Sequence, residues 1–196
     1  MPVPFVGLTG SLGAGKSTAL AAFERLGAAG LSADTVVHEL YETEAVKTAL
    51  RLRWGESVFD GDEVDRNAIA RLVFSDGDKR AWLEGLLWPL TAQRTEAFRT
   101  EIESRTPPPR AGVVETPLLF EAGVQDRFDA TIAIVAADRL RAERLALRDQ
   151  QDLAARERVQ LPQADKAARA TFAVVNDGTV AELEMKLAEI LATLGV

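Results

Sequence analysis

The stretch GSLGAGKS, Gly10–Ser17, sets glycines, a lysine and a hydroxyl at the spacing G-x-x-x-x-G-K-[ST]. Residues of those types in that order suit the holding of phosphate. Gly10, Gly13 and Gly15 admit backbone conformations closed to other residues and let the chain approach a ligand closely. Successive N–H groups can then turn inward onto phosphate oxygens. Lys16 stands where an ammonium bridges the outer phosphates, and Ser17 where a hydroxyl ligates Mg²⁺. An apolar run, PVPFVGLT, comes before. KSTALAAFERLG comes after, with Ala19, Ala22, Phe23 and Leu26 at helical spacing. The loop therefore feeds a helix N-terminus, which favours anions. A chance glycine-rich turn would lack this strand–loop–helix frame.

A phosphate loop does not name the acceptor. A GTPase needs a D-x-x-G switch and an N-K-x-D base reader, and a transporter ATPase needs L-S-G-G-Q; the chain has none of these. A small-molecule kinase needs a base, an acceptor pocket and arginines that close over the phosphoryl group. Asp34 ends a predicted strand, where ligands of open α/β sheets gather. Its carboxylate suits a base or a holder of metal-bound water, and equally an N-cap for TVVHELY. Glu115 and Asp138 also end predicted strands, with capping or solvated roles as open as catalytic ones. Arg141, Arg144 and Arg148 share one helical face and could form a lid that excludes water; Glu143 and Asp149 would pair with them on a merely solvated helix. His38 reads as a surface or half-buried residue, and Trp54 and Trp82 as core or rim aromatics.

The elements that must position these groups follow from periodicity. Strands are expected at 3–9, at 28–34, up to Glu115, over ATIAIVAAD to Asp138, and over TFAVV. Helices are expected at 16–27, over TVVHELY, through roughly 60–105 and at the C-terminus, where Leu183, Leu187, Ile190, Leu191 and Leu194 share a face. Pro89 is expected to end or kink its helix. Alternating strands and helices imply a parallel sheet covered on both faces. The 196 residues suit one domain, and 47% hydrophobic with 27% charged residues is a globular composition. A net charge of −7 gives no support to nucleic-acid or membrane binding. No cysteine is present, which removes disulfides, thiolate metal sites and thiol nucleophiles. With no basic n-region and no long apolar stretch, a cytoplasmic protein is expected.

As a set, these residues resemble the dephospho-coenzyme A kinase family. The resemblance rests on LTGSLGAGKS, LSAD, ARLVFSD with DKRAWLEGLLWPL, TPLLFEAG, RLALRD, QLPQADK and AVVNDGT, in order along nearly the whole chain. Pro117-Leu118-Leu119-Phe120-Glu121 is its most specific part. The resemblance implies an α/β, three-layer P-loop kinase fold with a parallel sheet, a helical acceptor-binding insertion and an arginine-rich lid. Residues 1–196 would form one such domain, with core 1–58, 111–138 and 170–196, insertion 59–106 and lid 139–169. It implies ATP- and Mg²⁺-dependent phosphorylation of the ribose 3′-hydroxyl of dephospho-coenzyme A. By the same match, Asp34, Lys16 and Arg144 are the candidate catalytic residues. Gly10, Ser11, Leu12, Gly13, Ala14, Gly15, Lys16, Ser17, Thr18, Arg148, Lys166, Asn176 and Gly178 would bind ATP, and Ser17 and Asp34 would serve the metal. The chain departs from the family pattern at Ser32 and Thr171, where aspartates are expected, at Trp88, where a histidine is expected, and in a lid a few residues short. A nucleoside monophosphate kinase and a catalytically silent nucleotide-binding protein are the rival expectations. Oligomeric state has no sequence signal.

Overall fold

The computed structural model describes residues 2–74, 76–146 and 159–195. These residues divide into two compact units. The first comprises residues up to Ala33 and from Ala97 onward; the second is Asp34–Glu96.

The first unit is built on five parallel strands: β1 (Phe5–Gly10), β2 (Ala29–Ser32), β5 (Gly112–Glu115), β6 (Ala130–Val135) and β7 (Phe172–Val175), in the order β2-β5-β1-β6-β7. The central strands read as near-continuous apolar runs because both faces are covered. On one face α1 (Lys16–Arg25) and the C-terminal helix α8 (Val180–Thr193) bury Leu20, Phe23, Leu183, Leu187 and Leu191 against Leu8, Ile132 and Ile134. On the other, Phe98 and Ile102 of α5 (Gly77–Glu103) pack on Phe5 and Val114. Helix α8 starts where the sequence tells it to. Thr179 accepts from the Glu182 N–H at 3.2 Å and its own N–H donates to the Glu182 carboxylate at 2.7 Å, a capping box.

Two strands end a little earlier than the pattern suggested: β2 at Ser32 rather than at residue 34, and β6 before Asp138. Notably, β6 stops at Val135, and Asp138 opens helix α6 (Asp138–Ala146). An acidic residue at a helix start is favoured by the dipole, and that preference decides here. Helix α7 (Gln163–Arg169) follows, its N-cap being Pro162.

The second unit holds α2 (Ala33–Tyr41), α3 (Glu44–Trp54), a two-residue hairpin of β3 (Phe59–Asp60) and β4 (Glu63–Val64), α4 (Arg66–Phe74) and the first part of α5. Its own core gathers Tyr41, Val46, Leu50, Val58, Ile69, Val73, Leu83 and Leu87. Helix α5 does not end at Pro89 but continues through it. Pro89 has no N–H to donate to the Gly85 carbonyl one turn earlier, so the helix runs on with that one hydrogen bond missing.

Candidate active site

The turn after β1 carries the phosphate loop. Gly13 has φ +74°, and the backbone carbonyl of Arg141 lies 2.8 Å from where a Cβ on it would stand, so helix α6 rests directly on the loop. Gly15 has φ +98° and caps α1. Both positions need glycine, for conformation and for space. Lys16 is buried and its Nζ donates to the Ser11 carbonyl at 3.2 Å.

The outer side of the loop is clamped by residues far along the chain. Arg141 Nε donates to the Leu12 carbonyl at 2.9 Å. Arg144 donates to the carbonyls of Gly13 at 3.3 Å, Ala14 at 3.4 Å and Asn176 at 3.0 Å. The buried Asn176 amide donates to the Ala14 carbonyl at 2.8 Å. In a trans peptide the N–H points opposite to the C=O. Carbonyls drawn outward at Leu12 and Ala14 therefore aim the N–H groups of Gly13 and Gly15 the other way. The Ala14 N–H closes the turn on Ser11 O at 3.2 Å. The loop is preorganised as an anion cradle.

Glu115 ends β5, in register with Leu8 of β1 and Ser32 of β2. It is 5% exposed, and its Oε1 accepts from Ser17 Oγ at 3.4 Å. A buried carboxylate beside the loop hydroxyl is an oxygen donor pair suited to a hard divalent cation. Periodicity marked Glu115 only as a strand end with several open roles; its pairing with Ser17, 98 residues away, required the sheet.

Lys166 is fully buried rather than open to a ligand. Its Nζ donates to the Pro117 carbonyl at 2.6 Å and pairs with Glu121 Oε1 at 3.0 Å. The same carboxylate oxygen accepts from Leu161 N at 2.7 Å. Burial pushes the Lys166 ammonium below its usual range, against the opposing pull of Glu121. Pro117 O also accepts from Thr9 Oγ1 at 3.2 Å, so the PLLFE segment is fastened to β1 and to α7. Gly178 lies beside the Thr179 cap, and its neighbour Asp177 accepts from Ala137 N at 2.7 Å. Thr18, next to Ser17 in the first turn of α1, is exposed. Arg148 lies outside the described residues.

Asp34 stands in the second unit, exposed in the first turn of α2. Its chain neighbour upstream is β2, whose last residue, Ser32, pairs with Glu115. In the same unit His38 pairs with Arg66, and burial raises the Tyr41 hydroxyl to a pKa of about 12. Trp54 and Trp82 meet edge-to-face at 4.9 Å within that unit's core, while Trp88 is 44% exposed.

A five-stranded parallel sheet whose central strand runs through a glycine-rich loop into a helix is the framework of a P-loop kinase. Shikimate kinase from Bacteroides thetaiotaomicron shares it at a TM-score of 0.50 with 16% identity, over 96% of this chain and 98% of that one. The family model described as dephospho-CoA kinase matches residues 4–182. A dephospho-CoA kinase from Rhodopseudomonas palustris is 34% identical over 95% of this chain and 93% of its own, and one from Thermus thermophilus is 34% identical over 96% and 91%. A crystal structure from Thermus thermophilus superimposes with a TM-score of 0.84 at 31% identity, covering 99% of both chains. The chain belongs to the dephospho-CoA kinase family.

Proposed function

We propose that the chain transfers the terminal phosphoryl group of ATP, with Mg²⁺, to the ribose 3′-hydroxyl of dephospho-coenzyme A, giving coenzyme A and ADP in the cytoplasm. Family membership over residues 4–182 supports the acceptor. The observation that carries the chemistry is the clamped loop with Ser17 set against buried Glu115. Among the described residues, no helix is long and apolar enough to cross a membrane.

The residues divide the work as follows. The loop N–H groups between Ser11 and Thr18, apart from that of Ala14, which closes the turn on Ser11 O, hold phosphate oxygens. Lys16 supplies its ammonium to the outer phosphates. Ser17 and Glu115 fit a divalent ion as hydroxyl and carboxylate donors, and Asp34 is assigned to the same ion through water. When bound, Mg²⁺ neutralises charge on the transferring group. Asp34 orients the acceptor hydroxyl and takes its proton. Arg144, already on the loop carbonyls, and Arg148 lie in the segment assigned as lid, 139–169. The insertion 59–106 holds the acceptor. Asn176 acts on the nucleotide through Ala14, and Lys166 acts through Pro117; Gly178 belongs to the turn that places Asn176. Such catalysis is mostly positioning and electrostatics, and a single donor at the phosphoryl group is worth about 3 kcal/mol.

The test is to incubate the protein with Mg²⁺, ATP and dephospho-coenzyme A, with adenosine monophosphate in parallel, and follow products by mass spectrometry. Coenzyme A is expected from wild type, with turnover down about a hundredfold or more in Asp34→Asn. Near-normal turnover of that variant would remove Asp34 as base. Phosphorylation of adenosine monophosphate alone would overturn the acceptor, and nucleotide binding without any product would overturn the activity.

A further inference from the structure

The loop clamp contains a residue whose contacts are not those of a group waiting for a phosphate. Arg141 is 13% exposed at its side chain. Its Nε is spent on the Leu12 carbonyl at 2.9 Å and an Nη on Asp138 Oδ1 at 2.9 Å. Asp138 in turn accepts from Gln163 Nε2 at 3.2 Å, and Gln163 Oε1 accepts from Ala136 N at 3.2 Å. A connected line of hydrogen bonds thus runs from the end of β6, through the start of α7 and the first turn of α6, to the phosphate loop. Asp138 itself is 84% exposed, so its contribution is orientation rather than buried charge.

We propose that Arg141 is a positioning residue of the phosphate loop, held in place by Asp138 and Gln163. The reading rests on the assignment of the loop to ATP. By fixing the Leu12 carbonyl outward, Arg141 fixes the Gly13 N–H toward the nucleotide. Gly13 is also where α6 touches the loop through the Arg141 backbone, so the same residue sets both the position and the tilt of that peptide. A guanidinium is suited to this task because its rigid fork serves two acceptors at once. A lysine can serve the Leu12 carbonyl but holds no such fixed angle to Asp138.

The test is steady-state kinetics with both substrates varied, alongside thermal unfolding. Arg141→Met keeps the apolar stem and removes both donors. It should raise the KM for ATP about tenfold, the loss of one charge-assisted hydrogen bond. The KM for dephospho-coenzyme A should not change. Arg141→Lys should recover part of the loss. Asp138→Ala, at an exposed position with little risk to folding, should raise the same KM by less. Combined with Arg141→Met it should add nothing, since both act through one contact. An unchanged KM for ATP in Arg141→Met, an equal rise in both KM values, or additive losses in the double variant would each overturn the proposal. Lys16→Ala in the same assay separates the two readings. If it leaves ATP handling intact, the loop assignment fails. If it abolishes transfer while Arg141→Met behaves as wild type, only the positioning role fails.

Discussion

Replacing Lys166 by methionine keeps the length and apolar stem of the side chain and deletes one buried charge. In the native protein that ammonium is fully buried and makes two contacts, 2.6 Å to the Pro117 carbonyl and 3.0 Å to Glu121. Glu121 is itself only 13% exposed, and its Oε2 is buried with no hydrogen-bond partner among the described residues. Without Lys166 the carboxylate retains the Leu161 N–H at 2.7 Å and little else. Breaking a buried pair from one side costs about 3–5 kcal/mol, because the remaining charge is stranded. With a urea m-value of about 3 kcal/mol/M, the unfolding midpoint should fall by about 1 M or more. Lys166→Met combined with Glu121→Gln removes the stranded charge while an amide oxygen still accepts from Leu161. This double variant should regain most of the loss. The pH dependence has a definite sign. The folded pKa of Lys166 lies below the model-peptide value of 10.5, so between the two the unfolded chain binds more protons. Native stability, relative to Lys166→Met, therefore rises with pH through that window. The assay is urea unfolding of the three proteins across pH, with ATP affinity measured on the folded forms. A double variant as unstable as the sum of the singles would refute the stranded-charge account. A Lys166→Met protein of unchanged stability but weakened ATP binding would show instead that the ammonium serves the nucleotide directly.

Two further predictions concern the sheet. Glu115→Gln keeps the hydrogen bond from Ser17 but loses the charge; the Mg²⁺ concentration giving half-maximal transfer should rise about tenfold, while an unchanged metal requirement would exclude Glu115 from the metal site. Thr171 and Thr131 bond reciprocally, Thr131 N to Thr171 Oγ1 and Thr171 N to Thr131 Oγ1, both at 3.0 Å. Thr171→Ala should cost about 1–2 kcal/mol in unfolding experiments, whereas Thr171→Asp, whose carboxylate can accept from Thr131 N, should cost less; equal losses would refute the reciprocal pairing.

Thr171 also shows how a departure from a family pattern is absorbed. The hydroxyl ties the start of β7 to the start of β6, a task that needs an acceptor at that point rather than an aspartate in particular.

By itself the sequence determined whatever depends on local spacing. The phosphate loop, the apolar runs that become strands, the capping box that opens α8 and the apolar stripe of that helix all follow from residues within a few positions of each other. It also carried the family resemblance, through short motifs in a fixed order. The tertiary structure decided what the charged residues do, because their partners lie far off in the chain. Arg144 and Gly13 are 131 residues apart, and Lys166 and Pro117 are 49 apart. Helical spacing placed Arg141 and Arg144 on one face but could not say that this face meets loop carbonyls. Pattern likewise left Glu115 a strand end with capping, solvated and catalytic roles open, and it was the family resemblance that gave Lys166 to the nucleotide. A side chain's hydrogen-bond partner is fixed by which strands pair and which helix lies over them, and that is a property of the packed sheet.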